Sequence, residues 1–129
     1  MEDRKVISGI LVSGLGEGAH FMSMHHYKKE IKEKLGFDAY PGTLNLRVDV
    51  KEYDSLENSN KIVIGGFKQG GRIFGGADCY RAKINDEDGA IIVPHISKHE
   101  KSIIEFIAPI YLREKFKLKD RDNITIELK

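Results

Sequence analysis

Cysteine is almost absent: Cys79 is the one thiol in 129 residues. A lone thiol forms no disulfide within the chain and lacks the companions of a thiolate metal site, and it points to a reducing compartment. Runs of about 18 apolar residues are missing too, so no transmembrane helix and no membrane partner are expected. The opening Met1-Glu2-Asp3-Arg4-Lys5 leads into a strand-like segment without an apolar signal core, which predicts a cytoplasmic location. Neither sign of charge dominates. Lys and Arg number 21 against 20 Asp and Glu, a formal net charge of +1. Such a balance sets up no field for holding a nucleic acid, and none is expected as a partner. The basic runs Lys28-Lys29-Glu30 and Lys32-Glu33-Lys34 are interleaved with acid, as on a solvated helix face. No internal repeat and no low-complexity linker is evident.

What is present suits one compact domain over residues 1–129, with 40% hydrophobic and 32% charged residues. Lys5 to Ser13 is rich in β-branched and aliphatic residues and predicts a buried strand. A glycine-rich turn follows, then a helix over about Met22 to Leu35, with Met24, Tyr27, Ile31 and Leu35 on one stripe and Gly36 as its stop. Tyr40-Pro41-Gly42 turns into a strand whose Leu44, Leu46 and Val48 face one way and Thr43, Asn45 and Arg47 the other. Further strands are predicted over Lys61 to Phe67, Arg72 to Ile84, Ala90 to Pro94, Ser102 to Ala108 and Ile124 to Leu128. Asn85 to Gly89 reads as a hairpin turn, and Ile110 to Phe116 as a short late helix after Pro109. Glycine pairs at 65–66, 70–71 and 75–76 suggest bulges or close backbone approach. Strands outnumber helices without alternating with them, which favours a mainly β barrel over a doubly wound parallel sheet.

Four local patterns carry chemistry. Gly14-Leu15-Gly16-Glu17-Gly18-Ala19 lies between the first strand and the main helix. Such a loop either turns the chain or brings backbone N–H groups, with a helix N-terminus beyond, against phosphate oxygens. It is neither a Walker A loop nor a Gly-x-Gly-x-x-Gly fingerprint. Thr43 and Asn45 place two small oxygen donors on one strand face, either as solvated filler or as the minimal protein grip of a Mg²⁺ ion. Glu105 interrupts the apolar run Ile103 to Ala108, either as an edge-strand charge or as a paired carboxylate at a site. Arg113 is either a surface residue or a clamp for a phosphate or base. His25, His26, His95 and His99 have no metal-ligand spacing, although His99 is a candidate pocket residue.

Three ordered motifs, Ser13 to Met22, Tyr40-Pro41-Gly42-Thr43-Leu44-Asn45-Leu46 and Ile104-Glu105-Phe106-Ile107-Ala108-Pro109, resemble the archaeal riboflavin kinase family. Leu112-Arg113-Glu114 and Leu118-Lys119-Asp120 extend the resemblance over nearly the whole chain. The resemblance implies a mainly β fold with minor α, a small six-stranded cradle-loop β-barrel with one main helix and a short late helix. It implies an enzyme that transfers a phosphoryl group from CTP to riboflavin, giving FMN and CDP, with one Mg²⁺ ion; the chain is expected to be a monomer. Residues carried over by motif are Gly14, Leu15, Gly16, Glu17, Gly18, Ala19, Ile110, Tyr111, Leu112 and Arg113 for the nucleotide. Thr43 and Asn45 carry over for the metal, and Ser97 and Glu105 for the flavin. Glu105 would orient the ribityl hydroxyl and accept its proton, which makes it the candidate catalytic residue.

Three positions depart from the family pattern: Ser97 stands for a threonine, Ala19-His20 for a larger or basic residue, and Arg121 for a turn glycine. Many relatives carry an N-terminal DNA-binding domain that this chain is expected to lack. The competing readings are a DNA-binding transcription regulator of related barrel topology and an ATP-dependent small-molecule kinase.

Overall fold

A computed structural model describes residues 5–12, 24–95 and 102–129. Its strands are β1 Val6–Val12, β2 Leu44–Arg47, β3 Ile62–Ile64, β4 Phe67–Gln69, β5 Arg72–Phe74, β6 Ala77–Ile84, β7 Glu87–Pro94, β8 Ile103–Ile107 and β9 Asn123–Leu128. Helices are α1 His25–Leu35, α2 Val50–Ser55 and α3 Leu112–Lys115, with a 3₁₀ turn over Leu56–Asn58. Strands β6-β7-β8-β2-β1-β9 hydrogen-bond in that order, and β9 pairs back onto β6. Six antiparallel strands therefore close a barrel. The mainly β fold expected from the sequence is the fold observed.

Period-two patterning explains the closure. Ile7 and Leu11 on β1, Leu44 and Leu46 on β2, Ile104 and Phe106 on β8, and Ile124 and Ile126 on β9 all point inward and form one core with Tyr80 and Ile91. The opposite face of β6, β7 and β8 is covered by α1. Tyr27, Ile31 and Leu35 pack there on Ala77, Cys79, Ala90, Ile92 and Ile107. Burying each large side chain of that stripe is worth about 1.5–3 kcal/mol. The helix stops at Gly36, whose φ of 87° lets its N–H reach the carbonyls of Ile31 and Lys32.

Several boundaries differ from the sequence reading. The predicted strands 61–67 and 72–84 are each broken, at Gly65-Gly66 and at Gly75-Gly76, and the intervening β4 and β5 form a separate two-stranded ribbon. The backbones cross too closely for side chains: a Cβ on Gly66 would meet Phe74 O at 2.3 Å, and one on Gly76 would meet Ile64 O at 2.2 Å. Gly70 and Gly71 turn the ribbon with φ of 58° and 76°. The turn predicted over 85–89 is only Asn85-Asp86, and β7 begins at Glu87. Gly89 is a strand residue, placed where a Cβ would strike Ile107 O at 2.2 Å. Helix α2 and its 3₁₀ extension were not expected; among their described side chains only Leu56 is fully buried, so no helical stripe marks the segment. Among the described residues no helix is long and apolar enough to cross a membrane.

Candidate active site

The outward faces of β2 and β8 carry the polar residues that the inward faces exclude. Leu44 pairs with Phe106 and Leu46 with Ile104, and between them Asn45 lies directly opposite Glu105. On the flanking strands Val12 of β1 pairs with Asn45, and Ile92 of β7 with Glu105. One row therefore runs Val12, Asn45, Glu105, Ile92 across four strands. Its two polar members are nearly sealed, Asn45 at 3% and Glu105 at 1% exposure. An edge-strand role for Glu105 is ruled out, since β8 is flanked by β7 and β2. The carboxylate is paired: Thr43 Oγ1 donates a hydrogen bond to Glu105 Oε1 at 3.0 Å. Thr43, Asn45 and Glu105 thus form one cluster.

The second predicted segment borders this cluster. Tyr40 N–H donates to Ala108 O at 2.8 Å, holding the Pro41-Gly42 turn against the end of β8. The rings of Tyr40 and Tyr111 stack with centroids 5.0 Å apart and planes 9° from parallel. Beneath them lies a cavity of about 40 Å³ lined by Tyr40, Thr43, Phe106, Ile110 and Tyr111 among others. Leu112 points into the barrel core, so its side chain belongs to the fold. Arg113 Nη2 donates to Val12 O at 3.3 Å and to Asp120 Oδ1 at 2.9 Å. That bond sets α3 beside the end of β1, the point from which the chain enters the glycine-rich segment.

Gly14, Leu15, Gly16, Glu17, Gly18 and Ala19, together with Ser97 and His99, lie outside the described residues. Of the other histidines, His26 Nε2 lies 2.8 Å from Gly65 O and His95 Nε2 lies 2.8 Å from Asp78 Oδ1. Cys79 is buried beneath α1, and that burial pushes its thiol up to about 12. It has no thiolate chemistry near neutral pH.

The cluster suits a small hard cation. Asn45 Oδ1 is buried with no hydrogen-bond partner among the described residues. Leaving such an oxygen unmatched costs about 1–3 kcal/mol, a penalty that a cation–oxygen contact removes. With its proton committed to Glu105, the Thr43 hydroxyl keeps two lone pairs for a ligand. Among the described residues no three His, Cys, Asp or Glu side chains converge as a metal cage. A Thr/Asn pair with one carboxylate behind it matches an ion held chiefly by water and substrate phosphates.

Residues 11–128 match the family model CTP-dep_RFKase, described as domain of unknown function DUF120. The chain belongs to the CTP-dep_RFKase family. It is similar to proteins named riboflavin kinase from several archaea. Identity is 45% over 127 residues with that of Pyrobaculum islandicum, covering 95% of this chain and 59% of the relative. It is 46% over 126 residues with that of Pyrococcus furiosus, covering 96% and 58%. With that of Saccharolobus solfataricus it is 42% over 127 residues, covering 95% and 73%. The chain thus spans less than two thirds of the first two relatives' length.

Sequence reasoning missed two features of this CTP-dep_RFKase site. Tyr40 served only as the start of a turn, and its partnership with Tyr111 joins residues far apart in the chain. The Thr43–Glu105 bond was also hidden. The missing signal was strand order, which makes β2 and β8 neighbours.

Proposed function

We propose that this domain is a riboflavin kinase that uses CTP as donor and one Mg²⁺ ion, giving FMN and CDP. The observation that carries the reading is the cluster of half-buried Thr43 with buried Asn45 and Glu105, beside the strand end that leads into the glycine-rich segment. The relatives' names support the acceptor, and the family model's name supports the donor.

Phosphoryl transfer asks for alignment of the attacking oxygen and neutralisation of charge more than for covalent help. When bound, Mg²⁺ supplies positive charge to the transferring phosphate. Thr43 and Asn45 are the residues that would hold it, through Oγ1 and Oδ1. Residues 14–19 and 110–113 are the proposed nucleotide contacts, with backbone N–H groups of the loop on the phosphates. Glu105 and Ser97 are the proposed flavin contacts. A carboxylate accepts about four hydrogen bonds, so Glu105 can take the Thr43 hydroxyl and still orient a ribityl hydroxyl and receive its proton.

Incubation of the protein with riboflavin, Mg²⁺ and each of the four nucleoside triphosphates in turn tests the proposal. FMN should appear on chromatography with CTP and much less with the other three. FMN with ATP alone would replace the donor, and no FMN with any donor would remove the enzymatic reading.

A further inference from the structure

The two oxygen ligands assigned to the ion are both uncharged, yet a cation must leave bulk water to reach them. Neutral oxygens alone give a divalent ion little reason to do so, because each is a weaker donor than the carboxylates that usually anchor Mg²⁺. Among the described residues, the carboxylate that adjoins both ligands is Glu105. It sits across the ladder from Asn45, is sealed from solvent, and accepts the Thr43 hydroxyl at 3.0 Å. Burying a carboxylate costs several kcal/mol unless a partner offsets it.

We propose that Glu105 is the electrostatic anchor of the cation site: its charge draws the ion, and its bond to Thr43 fixes that hydroxyl with its lone pairs turned to the ion. This rests on the assignment of Thr43 and Asn45 as the metal ligands, and it gives Glu105 a positioning role toward the metal besides any contact with the acceptor. Carboxylates behind a ligand shell orient the ligands and raise their basicity, and losing them weakens metal binding about 10–100-fold. The same bond links the two substrates' sites. Whatever hydrogen-bonds Glu105 on the acceptor side is felt at Thr43, so metal and acceptor binding are coupled.

Calorimetric titration of Mg²⁺ into the protein saturated with CDP reads the affinity directly, alongside the Mg²⁺-dependent rise in melting temperature. Glu105→Gln keeps the shape and one oxygen that can accept the Thr43 hydroxyl, while the charge is lost and the second oxygen becomes an amide N–H donor. The expected result is a fall in Mg²⁺ affinity of about 10–100-fold, with an apo melting temperature equal to or above that of the parent. Asn45→Ala should weaken Mg²⁺ as well. Unchanged affinity in Glu105→Gln with weakened binding in Asn45→Ala overturns the anchor and leaves the ligand assignment standing. Unchanged affinity in both removes the ligand assignment, and the anchor with it. Should Glu105→Gln melt below the assay temperature, Glu105→Asp retains the charge and is titrated in its place. Affinity near that of the parent then supports the anchor, and a loss as large as that of Asn45→Ala overturns it.

Discussion

Strands β2 and β8 show two different chemistries on their two sides. Inward, Leu44, Leu46, Ile104 and Phe106 are packed into an apolar core; outward, Asn45 and Glu105 are just as buried and carry polar atoms in adjacent positions. Burial alone therefore does not separate stability from function in this barrel. The inner residues gain by leaving water, whereas the outer pair loses by it and is retained at a cost. Substitutions on the two sides should consequently move different observables.

Phe106→Ala on the inner side should lower unfolding free energy by about 3–5 kcal/mol, read by denaturant titration. The outer double variant Thr43→Ala/Asn45→Ala should lower it by less, about 1–3 kcal/mol, because removing the orphaned Asn45 oxygen offsets part of what Glu105 loses with the Thr43 hydroxyl. Its effect belongs in turnover of riboflavin to FMN, which should fall by on the order of 100-fold with a weakened Mg²⁺ dependence. Near-normal turnover in the double variant, or unfolding as severe as that of Phe106→Ala, would erase the distinction between the sides.

Cys79 sharpens the comparison, because it too lies on the outward face but under α1, where the neighbours are apolar. Burial raises its thiol from 9.0 to about 12. The folded state thus keeps a proton that the unfolded state releases, so stability is intact below pH 9 and declines as pH rises toward the folded value. The native thiol should accordingly resist alkylation at pH 8 and react on unfolding. Rapid labelling of the native protein would mean that the helix-covered part of the outer face is open to solvent.

The smallest effect is expected away from both sides. Arg121 adopts a φ of 78°, in the left-handed region, while its N–H donates to Leu11 O at 2.7 Å. A non-glycine residue bears about 1–2 kcal/mol there. Arg121→Gly should raise stability by roughly 1 kcal/mol after the entropy cost of glycine, seen as a modest gain in melting temperature. No gain would mean that the arginine side chain earns back its strain.

Much of this fold was legible because strands with one wet and one dry face announce themselves by alternation, and strands with two dry faces by a short apolar run. The stripe Tyr27, Ile31, Leu35 and the stop at Gly36 were equally plain. Arg121 had already stood out as an odd residue at a turn that favours glycine. The ribbon β4–β5 was obscured because a strand pattern continues through Gly65-Gly66 and Gly75-Gly76; only the crossing of the two backbones shows that the glycines end one sheet and start another. Helix α2 escaped because Val50, its first residue, is exposed and no apolar face repeats along it. At the site, residue types and faces could be read, but not neighbourhood. Thr43 and Glu105 are separated by 62 positions, and only the strand order brings them to hydrogen-bonding distance.

The edge of β6 is shared: Ile62, Val63 and Ile64 of β3 occupy its first half, and β9 meets Ala82 and Lys83 in its second. Strand β9 also pairs with β1 along Val6 to Ile10. During ribosomal synthesis the first strand must therefore wait, one edge unpaired, until almost all the described chain has emerged. Closure is a late, long-range event that favours slow folding. It also makes the last strand a latch: trimming it would open two seams at once and expose sheet edges to pairing between molecules.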